Sequence, residues 1–274
     1  MAINLEPLHS IIWNGVSFEA ANLPAFYSHL GVGIFETFRL NPNSSGNFLI
    51  LGLKRHFQRL QNGLGKLDFS QIDENLLLDG IKHASKGFRS SSILKVRIIV
   101  TNNNLLLTAE ELKDAWPKPA KVVSFQGCRS VPELKNCSAL TSYLSHKQAL
   151  EQGATTALLT QEDLTVTECS WANFFWFDQD ANLFTASKNI LPGVTRQIIL
   201  DNQSLFGSIR QCSFSLQTVL SKAKEAFLTQ ATTGIVPITH INTMELPDSN
   251  KGLLVKKVAK TFQEISKQEM FEIC

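Results

Sequence analysis

Pro117 and Pro119 stand two positions apart in the segment Ala115 to Ala120, AWPKPA. Proline fixes φ, removes an amide donor and restricts the residue before it, so no helix or sheet ladder runs through such a segment. Strand-like and helix-like patterns lie on both sides of it, and a chain of 274 residues is long enough to bury a separate core on each side. The sequence therefore predicts an α+β protein of two lobes, a smaller one over residues 1–116 and a larger one over residues 117–274. Each lobe is expected to hold a mostly antiparallel or mixed sheet with helices.

In the first lobe, Ile11 to Phe18 reads as a hairpin around Asn14-Gly15, a pair that tolerates the positive φ of a tight turn. Residues 33–40, GIFETFRL, read as a strand with Ile34, Glu36 and Phe38 on one face and Phe35, Thr37 and Arg39 on the other. Leu53, His56, Phe57, Leu60 and Leu64 recur at helical spacing. A second helix is predicted from about 73 to 86, and ILKVRIIVT (93–101) is β-branched enough for a buried strand. In the second lobe, 139–152 reads as a helix, and 155–160, 165–168 and 173–177 read as strands. A helix over 194–200 follows, then strands near 208–214, 226–229 and 235–241, and a C-terminal helix from about Gly252.

Composition narrows the class. Hydrophobic residues at 43% and charged residues at 18% suit a packed core. Lys plus Arg numbers 26 against 24 for Asp plus Glu, and the basic residues form no stripe, which argues against nucleic acid as a partner. The N-terminus lacks a basic segment followed by an apolar one, and no apolar run reaches the ~20 residues of a membrane span. The five cysteines are odd in number and widely spaced, as expected for free thiols in the cytoplasm. The six histidines show no metal-ligand spacing.

Four places carry residues of chemical interest. Lys135 lies just before a predicted helix, where an amine on the lip of a cleft can reach inward; Lys147, on the body of that helix, is its rival. Glu168 ends the strand LTVTE, where a carboxylate can face a cationic nitrogen. Pro192-Gly193-Val194-Thr195-Arg196 opens a helix whose first amides can receive a phosphate, with Gly193 permitting close approach. Arg59, on the first predicted helix, offers a guanidinium for the same kind of anion. Taken one at a time, each has an ordinary structural reading as a solvated or capping residue.

Together these places resemble the fold-type IV pyridoxal phosphate enzymes, the class IV aminotransferase family, which includes branched-chain and D-amino acid aminotransferases and aminodeoxychorismate lyases. The resemblance runs through residues 31–40, 53–60, the lysine segment from 135, 166–177 (VTECSWANFFWF), 189–197 (NILPGVTRQ) and 227–238 (FLTQATTGIVPI). It implies a two-lobed fold and a homodimer with pyridoxal 5'-phosphate as cofactor. It places the cofactor lysine at Lys135 and the carboxylate partner of the pyridine nitrogen at Glu168. Phosphate contacts fall at Arg59, Gly193, Val194, Thr195 and the turn at Ala231 and Thr232, and candidate substrate contacts at Thr37 and Arg39. Within the family, Cys169 after VTE and Ala231 after Gln230 look most like the lyases, which release 4-aminobenzoate and pyruvate from 4-amino-4-deoxychorismate. Val32 and Asn102-Asn103-Asn104 depart from the family pattern, which often has an acidic residue at the first position and an Arg- and Gly-rich substrate loop at the second.

Overall fold

The computed structural model describes residues 11–13, 16–18, 32–89, 91–101, 104–113, 118–248 and 252–273. The Asn14-Gly15 turn, Asn102, Asn103 and Pro117 lie outside the described residues. The chain divides into two units: one runs to Ala115 and takes in Lys135–Ser138 and Glu269–Cys274, and the other comprises Trp116–Leu134 and Ala139–Gln268. A single boundary after residue 116 does not contain the two short returns to the first unit.

The first unit is built on an antiparallel sheet of β1 (Ile11–Trp13), β2 (Val16–Phe18), β3 (Gly33–Pro42), β4 (Phe48–Leu51), β5 (Leu94–Thr101), β6 (Asn104–Glu111) and a C-terminal strand, Met270–Ile273. The order across the sheet begins with that last strand and continues β4, β3, β5, β6, β1, β2. Pairing of Met270–Ile273 with β4 accounts for the second return. Two helices follow β4: α1 (Leu53–Lys66) and α2 (Glu74–Ser85). Asp73 caps α2 by accepting from the amides of Asn75 and Leu76.

The alternation expected in β3 decides which face carries the core. Ile34, Phe38 and Leu40, with Val96, Ile98 and Leu107 from β5 and β6, are almost fully buried, each worth about 1.5–3 kcal/mol in apolar burial. The two helices pack on this face through glycines: a Cβ at Gly63 of α1 would stand 3.0 Å from Ile34 Cγ2, and one at Gly80 of α2 would stand 3.1 Å from Leu107 Cδ1. Phe35, Thr37 and Arg39 point to the other face, where β5 places Ile99, Arg97 and Lys95 directly opposite them.

The second unit holds a mixed sheet. Its strands are β7 (Ala120–Gln126), β8 (Thr156–Thr160), β9 (Val166–Cys169), β10 (Asn173–Phe177), β11 (Leu183–Thr185), β12 (Ile209–Gln211), β13 (Glu225–Gln230), β14 (Gly234–Ile241) and β15 (Met244–Glu245). The order is β12, β11, β10, β13, β14, β7, β8, β9, with β15 paired to β14. Helices α3 (Leu140–Glu151), α4 (Val194–Asp201), α5 (Gln203–Phe206), α6 (Leu216–Lys222) and α7 (Leu253–Ser266) accompany it. The core joins Val122, Leu158, Val166, Phe174, Trp176 and Leu228. The strand expected near 208–214 is only three residues long, and Ser215, which accepts from the Thr218 amide, starts α6. Among the described residues, no helix is long and apolar enough to cross a membrane.

Candidate functional site

Unit 1 carries the lysine. Lys135 is half-buried and its main chain is fixed to β3: the Phe35 amide donates to the Lys135 carbonyl at 2.8 Å, and the Cys137 amide donates to the Gly33 carbonyl at 2.8 Å. These bonds account for the return of Lys135–Ser138 to this unit. The Lys135 Nζ stands 4.6 Å from the centre of the Phe35 ring, and the Arg97 guanidinium stands 5.1 Å from the same ring, so two cations share one aromatic ring. The rival Lys147 is 61% exposed and pairs with Glu151 one helical turn on.

On the helix face of the same sheet, Glu36 is 1% exposed and receives a two-pronged bond from Arg59, Nε to Oε1 and Nη2 to Oε2, each 2.7 Å. His56 Nδ1 is 2.8 Å from Glu36 Oε2. Burial alone would raise the Glu36 carboxyl, but the Arg59 charge and the His56 contact outweigh it and hold the pKa at about 2. Burial lowers the His56 pKa against the pull of Glu36, and the Arg59 and Lys135 charges lower it further. An ionised carboxylate only accepts, so the neutral His56 ring carries its proton on Nδ1. Sequence reasoning singled out Arg59 but missed Glu36 and His56 as its partners; the one available signal was a glutamate on an otherwise apolar strand face.

Thr37 and Arg39 lie on the Phe35 face. Thr37 Oγ1 is buried with no hydrogen-bond partner among the described residues. Arg39 Nε donates to Asn41 Oδ1 at 2.6 Å. Two residues along a strand is ~7 Å, so Arg39 is two such steps from Phe35. Arg97, opposite Thr37 in the ladder, is the arginine that joins Lys135 at the Phe35 ring, and sequence reading passed it over as a strand residue.

Unit 2 carries the carboxylate and the helix start. Glu168 is 3% exposed. Its Oε1 accepts from Arg129 Nη1 at 3.0 Å, and its Oε2 accepts from Asn173 Nδ2 and the Leu191 amide, both at 3.1 Å. Asn173 Nδ2 also donates to the Leu191 carbonyl at 2.9 Å. Glu168 and Asn173 therefore hold the turn that leads through Gly193 into α4. A Cβ at Gly193 would overlap Asn173 Oδ1, so glycine is required for that close approach.

No side chain caps the α4 N-terminus, whose first amides form an anion-accepting end. Val194 and Thr195 are buried there. Arg196, also buried, donates through Nη2 to the Ala186 carbonyl and to Gln211 Oε1, both at 3.0 Å. Ala231 and Thr232 form the turn between β13 and β14, beside Gln230, whose Nε2 donates to the Trp171 carbonyl at 3.3 Å. Cys169, next to Glu168, is fully buried, and its thiol is pushed far up by burial and by the Glu168 charge.

Comparison with known proteins gives this constellation a family. The D-alanine aminotransferase of Listeria innocua serovar 6a is 33% identical over 258 residues, covering 85% of this chain and 86% of that protein. That of Listeria monocytogenes serotype 1/2a is 33% identical over 135 residues, about half of either chain at 48% and 46%. The aminodeoxychorismate lyase of Bacillus subtilis strain 168 is 26% identical over 270 residues, covering 88% of this chain and 86% of that one. Among solved structures, the branched-chain amino acid aminotransferase of Thermobaculum terrenum in its PLP-form superposes with a TM-score of 0.83 at 16% identity, covering 98% of this chain and 99% of that one; at that identity the likeness concerns the fold. The family model for amino-transferase class IV matches residues 33–241, a span that takes in Glu36, Arg59, Lys135, Glu168 and the start of α4, and the chain belongs to that family.

Proposed function

We propose that the protein is a pyridoxal 5'-phosphate enzyme that cleaves 4-amino-4-deoxychorismate to 4-aminobenzoate and pyruvate. The residues present fit the cofactor. Lys135 is a half-buried amine, and Glu168 is a buried carboxylate oriented by three donors. The α4 start offers main-chain amides without a side-chain cap, next to Gly193, where Asn173 comes too close for any Cβ.

When bound, pyridoxal phosphate supplies an aldehyde for the substrate amine and a cationic ring that draws electrons from the neighbouring carbon. Lys135 would hold the aldehyde of the cofactor, and its amine, when free, would serve as the base that takes the proton from the substrate carbon bearing nitrogen. The same amine returns a proton to the enolpyruvyl group as its C–O bond breaks and the ring becomes aromatic. Glu168 would pair with the ring nitrogen of the cofactor and keep it protonated. Gly193, Val194, Thr195 and the Ala231–Thr232 turn receive the phosphate, with Arg59 as its cation, held by Glu36. Thr37 and Arg97 face the substrate, and Arg39 stands further along the same strand.

The observation that carries the choice of reaction is the strand Val166–Cys169 followed by Asn173. By the family resemblance, the buried thiol after the carboxylate stands where the aminotransferases usually have glycine, and Ala231 where they tend to have threonine. The 33% identity to D-alanine aminotransferase favours a second reading, transamination of a D-amino or branched-chain acid. Purified protein incubated with aminodeoxychorismate and pyridoxal phosphate, without any 2-oxo acid, separates the two: 4-aminobenzoate accumulates if the lyase reading holds, and its absence together with D-alanine-dependent turnover overturns it.

The family resemblance also supports a homodimer. Leu140, Tyr143, Leu144 and Leu150 are all exposed on one side of α3, around the Lys147–Glu151 ion pair, and a second copy of the chain is the occupant proposed for that side. Free thiols at Cys128, Cys137, Cys169 and Cys212 go with a cytoplasmic location.

A further inference from the structure

Arg129 lies outside every segment of the family resemblance, yet its side chain is 12% exposed and touches the buried Glu168 carboxylate. Nη1 donates to Glu168 Oε1 at 3.0 Å and to the Pro132 carbonyl at 3.1 Å, and Nη2 donates to the Leu134 carbonyl at 2.8 Å. The Leu134 carbonyl belongs to the peptide whose nitrogen is that of Lys135. One guanidinium thus bonds both to the carboxylate assigned to the cofactor ring and to the peptide that leads into the lysine assigned to its aldehyde. Only a planar, permanently charged fork serves three such acceptors in one geometry; an ammonium on a flexible stem does not.

We propose that Arg129 is a positioning residue that orients the Glu168 carboxylate by tying it to the Pro132 and Leu134 carbonyls, the stretch of main chain that leads into Lys135. The proposal rests on the assignment of Lys135 and Glu168 as cofactor groups. An Arg129 that only held the 130–134 segment in place would weaken cofactor binding independently of Glu168. A shared network instead makes the two residues non-additive.

The test is a double-mutant cycle of Arg129→Met and Glu168→Gln, read as the affinity of apoprotein for pyridoxal phosphate by its visible absorbance, with folding checked by far-ultraviolet circular dichroism. Each single variant is expected to bind roughly tenfold more weakly, and the double variant no more weakly than the weaker single. Arg129→Lys, which keeps the charge but loses the fork, takes the place of Arg129→Met in the same cycle if the latter does not fold. Losses that multiply in the double variant, or an Arg129→Met protein that binds as the wild type does, overturn the role of Arg129 alone. Wild-type apoprotein that takes up no pyridoxal phosphate overturns the cofactor assignment and this role with it.

Discussion

At Glu36, burial and charge oppose one another and charge wins. A carboxyl with no solvent would rise above its ordinary value, but Arg59 and His56 hold it at about 2. Its folded pKa is below the unfolded one, so its contribution to stability is complete above about pH 4.5 and is lost as pH falls toward 2. His56, lowered by burial, acts in the same direction from about pH 6.5 downward, because the unfolded ring takes up a proton before the folded one does. Stability measured by urea unfolding should therefore decline steadily from neutrality into acid, and Glu36→Gln should flatten the part below pH 4.5. An unchanged acid slope in Glu36→Gln would place the lost protons elsewhere. Sequence reading reached Arg59 through the family pattern and Glu36 only as one member of a mixed strand face. The bond between them joins residues 23 apart, and periodicity carries no information about such pairs.

The elements that sequence legibly announced were those with a strong period or a local cap, such as β3, α1, α2 and α7. The short strands β4 and β11 were hidden because three or four residues carry too little pattern to separate a strand from a loop. The start of α7 shows a cap that no local motif reveals: Glu225, buried in β13, accepts from the Leu254 amide at 3.1 Å and the Val255 amide at 2.9 Å. A carboxylate opposite a helix N-terminus satisfies two orphan donors and complements the dipole. Glu225→Ala should cost about 1–3 kcal/mol, seen as a lower urea midpoint with an unchanged slope. A midpoint equal to wild type would mean that water replaces this cap without loss. The β9–β10 region was more legible, because Glu168 and Asn173 lie five residues apart and are both held in the same turn network.

For the molecule as a whole, the family fold was legible from six ordered segments, whereas the exposed side of α3 became visible only once Ser142, Ser145 and Ala149 were seen to take the buried side of that helix. The protein should sediment as a dimer, and Leu144→Glu with Leu150→Glu should convert it to a monomer of 30.5 kDa without loss of secondary structure. Wild-type protein sedimenting at the monomer mass would contradict the proposed interface. The account depends above all on Lys135 as the residue that bears the cofactor. Borohydride reduction of the protein loaded with pyridoxal phosphate, followed by peptide mass spectrometry, should find the cofactor mass on the peptide containing Lys135 and on no other lysine, and Lys135→Ala should abolish the label. Label on Lys147, or label that survives in Lys135→Ala, would contradict the account.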